Sequence, residues 1–244
     1  MYRWNVAAAQ YGSRPGQLEA NISHHLKFIE CAAREQVDLL IFPELSLTGY
    51  DAARDESLAL SFDAAELAPI QQAAETYKMT IVVGLPIRHS SGISPGAIGF
   101  LPDGTRIACH KPPADSDLDS GALSTPLFGQ SGRSFALGLN EAAHDDTLAR
   151  AAAYSGANLY ASGRLVSGMT WQSDVMHLQD WAYRYNLPIL MANHAWSCDA
   201  HPTAGRSACW DDRGRLVIRA EDGELLVIGR RSERGWQGEV IPLR

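Results

Sequence analysis

Three polar residues stand where apolar runs of this chain stop. Glu44 closes "LLIFPEL" after Phe42 and Pro43, Lys111 closes "AIGFLPDGTRIACHK", and Asn140 follows "FALGL" just before an Ala-rich segment. A carboxylate at the end of a buried strand can act as a general base. An ammonium there can stabilise an oxyanion as it develops. A strand-to-helix junction is where many α/β enzymes expose a nucleophile. Asn140 cannot fill that role, because the lone pair of its amide nitrogen is delocalised into the carbonyl. It can still donate and accept hydrogen bonds.

Cysteine is the residue type that could replace it. Cys109 lies two positions before Lys111, so in a regular strand both side chains share a face. Cys109 is therefore expected to line a pocket that includes Lys111. Cys198 is the other candidate, while Cys31 and Cys209 read as core or strand positions. The absence of any CxxC pair points to reduced thiols. His194, Cys198 and His201 have a spacing that is not a standard zinc pattern and lack a clear fourth ligand. No metal and no other cofactor is expected.

These residues need elements to hold them. "WNVAAAQ" reads as a short strand, and Leu18, Ile22, Leu26, Ile29 and Ala33 recur at helical spacing. On that helix His24 and His25 are expected at the surface. "DLLIFPEL" and "MTIVVGLPI" read as strands buried on both faces. Between them "DAAELAPIQQAAETYK" reads as a helix, with Asp63 as N-cap and Glu66 completing a capping box. "HSSGISPG" reads as a loop, and Asp103-Gly104 marks a hairpin. Residues 112–132 have no period and are rich in Pro, Gly, Ser and Asp, the composition of a functional loop. Then come the strand before Asn140, a helix, the strand "GANLYASG", the helix "TWQSDVMHLQDWAYRYN", the strand "LPILMANHA" and further strands around a turn at 212–214. Trp171, Trp181 and Trp196 read as core or interface residues. The order of elements gives two similar halves. The simplest reading is one α/β domain spanning residues 1–244, with two sheets packed face to face.

Composition narrows the partners. Apolar residues make up 45% and charged residues 20% of the 244, with a net charge of −7. No Lys/Arg cluster offsets that acidity, which argues against nucleic acid. No run reaches the roughly 18 apolar residues of a membrane span, and the N-terminus has no signal-like apolar core. A cytoplasmic location without membrane contact is expected.

The ordered motifs resemble those of the nitrilase (carbon–nitrogen hydrolase) superfamily. "LLIFPELSLTGYD" is similar to the segment that carries the general base, "LPDGTRIACHK" to the one that ends in the catalytic lysine, and "FALGLNEAAHDDTLARAAAYSGANLY" to the frame around the nucleophile. The resemblance implies a four-layer α-β-β-α sandwich with two mixed β-sheets. It implies Glu44 as base, Lys111 as oxyanion partner and Asn140 at the nucleophile position. It places Asn193, Gly205 and Ser207 as substrate-binding candidates, which Cys109 joins by its strand alternation with Lys111, and implies a homodimer or higher homo-oligomer built by packing equivalent helices. The chain also departs from the pattern. Asn140-Glu141-Ala142 replaces the family's Cys-x-Asp, Asp146-Thr147 replaces a Pro-Glu, and only Asp115, Asp117 and Asp119 stand where a second Glu is usual. Two readings follow. One is hydrolysis of a small amide or related C–N compound with another nucleophile, such as water activated by Glu44. The other is a catalytically inactive relative that binds a small ligand or a protein partner through the retained pocket. A purely structural subunit is a third.

Overall fold

A computed structural model describes residues 3–50, 56–90, 92–110, 127–130, 132–139, 145–197 and 202–243. In chain order the elements are β1 (Trp4–Gln10), α1 (Leu18–Arg34), β2 (Leu39–Ile41), β3 (Leu60–Ser61), α2 (Ala68–Tyr77), β4 (Thr80–His89), β5 (Gly92–Phe100), β6 (Arg106–His110) and β7 (Phe128–Gln130). Then follow β8 (Arg133–Leu139), α3 (Thr147–Tyr154), β9 (Leu159–Gly163), α4 (Trp171–Tyr185), β10 (Ile189–Ala192), β11 (Ala208–Trp210), β12 (Leu216–Arg219), β13 (Leu225–Ser232) and β14 (Gly235–Pro242). The first sheet runs β14-β13-β1-β2-β4-β5-β6, with β3 pairing β4, and the second runs β12-β11-β10-β9-β8-β7. Each has a parallel centre, β1-β2-β4 in one and β8-β9-β10 in the other, flanked by antiparallel strands.

Alternation along the central strands creates the layers. Val6 and Ala8 of β1, Leu39 and Ile41 of β2, Leu137 of β8, Ala161 of β9 and Leu190 of β10 meet in one core between the sheets. The alternate residues Ala7, Leu40 and Ile81 face α1 and α2 in a second core. Ala136, Tyr160 and Ile189 face α3 and α4 in a third. The four-layer α-β-β-α arrangement with mixed sheets is therefore as the sequence implied. Among the described residues, no helix is long and apolar enough to cross a membrane.

Three local expectations are corrected. His24 and His25 are buried, not at the surface. The inner face of α1 also takes Asn21 and Phe28, because polar partners wait there: Glu224 Oε1 lies 2.6 Å from His24 Nε2, and Ser46 Oγ lies 3.0 Å from His25 Nε2. Asp63 is not an N-cap. The chain makes a 3-10 turn over Ala65–Leu67, capped by Ala64, and α2 starts at Ala68 with Pro69 in its first turn. Pro suits that place, since its missing N–H would be unpaired there anyway. Finally, 89–96 is mostly strand, because β4 and β5 pair as far as His89 and Gly92.

Candidate active site

Glu44 sits just past β2, in a turn whose backbone is heavily fixed. The ladder ends with Phe42 N donating to Val82 O at 2.9 Å, and the chain then turns through Leu45 with a left-handed φ of 53°. A buried Leu in that region stores on the order of 1 kcal/mol of strain, so the surroundings must over-determine it. Gly49 N donates to Leu45 O at 2.8 Å and Leu47 N to Gly84 O at 3.0 Å. Below the turn lies a chain of buried polar groups. Asn21 Nδ2 donates to Leu47 O (2.9 Å), His25 Nδ1 donates to Asn21 O (2.7 Å), and the Ser46 hydroxyl lies 3.0 Å from His25 Nε2 while accepting Gly84 N at 3.3 Å. Burial lowers His25 to about 3, so its ring is neutral and the donors run in that order.

Two glycines let the sheets close on this turn. A Cβ on Gly84 of β4 would stand 2.4 Å from Leu45 N and 2.6 Å from Pro43 O. A Cβ on Gly163 of β9 would stand 2.5 Å from Phe42 O and 3.0 Å from Glu44 N. Neither contact is possible for a real side chain, so both positions need glycine for close approach. From the second sheet, His194 Nε2 donates to Glu44 O at 2.8 Å. Burial holds His194 neutral, down at about 4, and a carbonyl can only accept, so the proton is on Nε2.

The carboxyl group is treated differently from the backbone that carries it. Oε1 of Glu44 is buried and has no hydrogen-bond partner among the described residues. Burial pushes the carboxyl up to about 7, opposed by the positive charge of Arg164. A carboxylate poised near neutrality is what a general base needs.

Arg164 is a residue the sequence reading missed. It follows β9 directly, is itself buried, and donates from Nε to Ser162 Oγ at 3.0 Å and from its backbone N to Ala192 O at 2.8 Å. Its guanidinium lies 5.7 Å from the Trp181 ring. Its position, a charged residue at the end of a continuous buried strand as Glu44 is, could have marked it as a candidate, though nothing local joins it to Glu44.

The other sequence candidates divide. Lys111 and Asn140 lie outside the described residues, as do Cys198 and His201; the described strands stop one residue short of the first two, at His110 and Leu139. Cys109 packs opposite Ala97 within the core between the sheets, and burial pushes its thiol up to about 12. It is therefore a thiol at neutral pH, not the reactive thiolate. Cys31 and Cys209 are core residues, as their sequence context suggested. Trp181 is core, whereas Trp196 is 49% exposed.

Asn193, Gly205 and Ser207 do come together, as a buried clasp. Asn193 Nδ2 donates to Gly205 O (2.7 Å) and Val166 O (3.0 Å), and its Oδ1 accepts Val166 N (2.9 Å). Its backbone N donates to Ser207 Oγ at 2.9 Å, and Ser207 N donates to Gln10 Oε1 at 2.9 Å. Gly205 has a left-handed φ of 59°. The polar atoms of Asn193 are spent within the protein.

Residues 5–111 match the carbon-nitrogen hydrolase family. The matched stretch includes Glu44 and ends at Lys111. Solved structures extend the likeness, as a fold, over 92–96% of the chain. The amidase from Nesterenkonia sp. AN1, as a double mutant with acrylamide, is 19% identical, with a TM-score of 0.81 over 95% of this chain and 92% of that one. A mutant of the same amidase with butyramide is 20% identical, with a TM-score of 0.77 over 92% and 89%. Nit3 of Saccharomyces cerevisiae, a member of branch 10 of the nitrilase superfamily, is 21% identical, with a TM-score of 0.80 over 96% and 91%.

Proposed function

We propose that this carbon–nitrogen hydrolase relative binds a small amide-like molecule at the strand ends where Glu44, Lys111 and Asn140 fall, without forming an acyl-enzyme. The observation that carries the reading is Glu44: a buried carboxyl raised to about 7, with one oxygen lacking a partner among the described residues, on a backbone that both sheets hold still. Such a group can donate to or accept from an amide as its protonation changes. Lys111 offers a cation to the amide oxygen and Asn140 a further hydrogen-bonding group. The covalent route needs a thiolate. Asn140 cannot supply one, and Cys109 is held as a thiol. The Nesterenkonia amidase, by contrast, has an active-site cysteine that adds to acrylamide. Asn193, Gly205 and Ser207 support the site by positioning rather than by touching the ligand.

A second reading, direct hydrolysis by a water that Glu44 activates, is favoured by the same value near 7. One experiment separates the two and tests both. Purified protein is incubated with butyramide and with acrylamide, and ammonia release and protein mass are followed. Binding without turnover predicts saturable butyramide binding weakened about tenfold or more by Glu44→Gln, no ammonia and no adduct at the site. Ammonia release lost in Glu44→Gln would establish the water route instead. Asn140→Cys is expected to gain an acrylamide adduct. Butyramide binding that is absent, or unaffected by Glu44→Gln and Lys111→Ala alike, would refute the site itself.

A further inference from the structure

A cavity of about 450 Å³ opens at the end of the sandwich opposite Glu44. Glu44 follows the C-terminal end of β2, and the parallel bridge between Tyr11 and His194 puts the C-terminal ends of β1 and β10 at that same end. The cavity is built instead from the starts of strands: Trp4 begins β1, Arg133 begins β8, Asn158 precedes β9, and Trp236 lies near the start of β14, with Arg231 and Asp212 beside it. It shares none of its lining with the Glu44 turn.

The hydrogen bonds around this cavity leave donors over. Asn158 Oδ1 already accepts Ser134 N at 3.0 Å. The Asp212 carboxylate is engaged by Arg231 at 3.6 Å, and Asp38, just outside, by Arg133 at 3.2 Å. Two buried N–H donors on lining residues, Arg133 Nε and Trp236 Nε1, have no partner among the described residues. A buried unpaired donor costs on the order of 1–3 kcal/mol, more when it is charged, and such a group in a native fold calls for a water or an ion. Within the lining two guanidinium groups stand against the one carboxylate of Asp212, but Arg133 is also paired with Asp38 and donates to Arg3 O, so Nε is the donor it has left. The Arg231 guanidinium also lies 5.7 Å from the Trp236 ring, which holds the cation beside the indole.

We infer that this cavity is a second binding site, for a small molecule bearing an oxyanion, with Arg133, Arg231 and the Trp236 indole N–H as its donors. A carboxylate and a phosphate share the required chemistry: several acceptor atoms and a negative charge. The volume suits a ligand of metabolite size. The inference does not rest on the reading of the Glu44 site.

Isothermal titration of the full chain tests it, with inorganic phosphate and benzoate as separate probes. At least one is expected to bind saturably, one per chain. Arg231→Met should weaken that binding about tenfold or more. Trp236→Phe, which deletes the indole N–H and keeps an aromatic ring, should weaken it by a few fold. Trp236→Phe also keeps the test available if Arg231→Met fails to fold, which its thermal midpoint would reveal. Glu44→Gln should leave the binding unchanged, which separates this cavity from the other end of the sandwich. Whichever probe binds identifies the kind of oxyanion. The inference is overturned if neither probe binds saturably, if both variants bind as the parent does, or if the binding disappears in Glu44→Gln.

Discussion

Glu44 and Asn193 occupy comparable places, each at the C-terminal end of a central parallel strand, β2 in one sheet and β10 in the other. Their side chains meet opposite fates. Asn193 is fully buried and its amide is tied to Val166 and Gly205 on all sides. Glu44 is carried on an equally constrained backbone, yet its carboxyl keeps a buried oxygen without a partner among the described residues. Burying a carboxyl without full compensation is unfavourable, whereas the buried polar residues Asn21, His25 and Ser207 have their partners. One strand end is spent on holding the fold together; at the other a buried oxygen is left without a partner among the described residues. The family match has the same asymmetry: it covers the half that bears Glu44 and stops at residue 111.

The sharpest way to break this contrast is to exchange the roles. Asn193→Ala removes three side-chain hydrogen bonds from a fully buried site and should destabilise the protein by about 4 kcal/mol in urea unfolding. A change below about 1 kcal/mol would mean the clasp is not structural. Glu44→Gln should act the other way, and its effect should depend on pH. The carboxyl titrates at about 7 in the fold against an ordinary 4.5, so the folded state binds more protons between those values. Its contribution is fully present below about 4.5 and is lost as pH rises through 7, and stability should fall over that window. Glu44→Gln should remove the fall, gaining up to about 3 kcal/mol on the parent at pH 8 relative to pH 4.5. Parallel stability curves for the two proteins would remove the case for a poised carboxyl. The smallest effect sharpens the picture of the turn. Ser46→Ala cuts the link between His25 and Gly84 and should cost about 1–2 kcal/mol, while butyramide binding weakens with it. Binding that holds while stability drops would show that the turn keeps its shape without this support.

Much of this was legible in the sequence because burial leaves a periodic trace. The alternating and continuous apolar runs yielded the two sheets, and the Asp103-Gly104 hairpin appears as Leu101 N bonded to Thr105 O at 2.8 Å. The Phe-Pro before Glu44 singles that residue out as a candidate. Buried polar residues leave no such trace. His24 and His25 look like surface residues until Glu224 and Ser46 are brought to them by the fold. Ser207 finds Gln10 across 197 positions of chain. Arg164 carries no local mark of its nearness to Glu44, because what joins them is Gly163, whose missing side chain allows two sheets to touch. Buried polar and glycine positions of this kind encode tertiary contacts, and those are written in no window of neighbouring residues.

His194 gives the site a gauge that needs no labelling of the carboxyl. Its single ring proton is pinned on Nε2 by the carbonyl of Glu44, and the ring lies fully inside the protein, down at about 4 in its own titration. In nitrogen-15 spectra the two imidazole nitrogens of a fixed tautomer are well apart, and they converge when the tautomers exchange. The tautomer signature of this one histidine would therefore report, point by point along a ligand or pH series, whether the backbone at Glu44 stays put while its carboxyl changes charge.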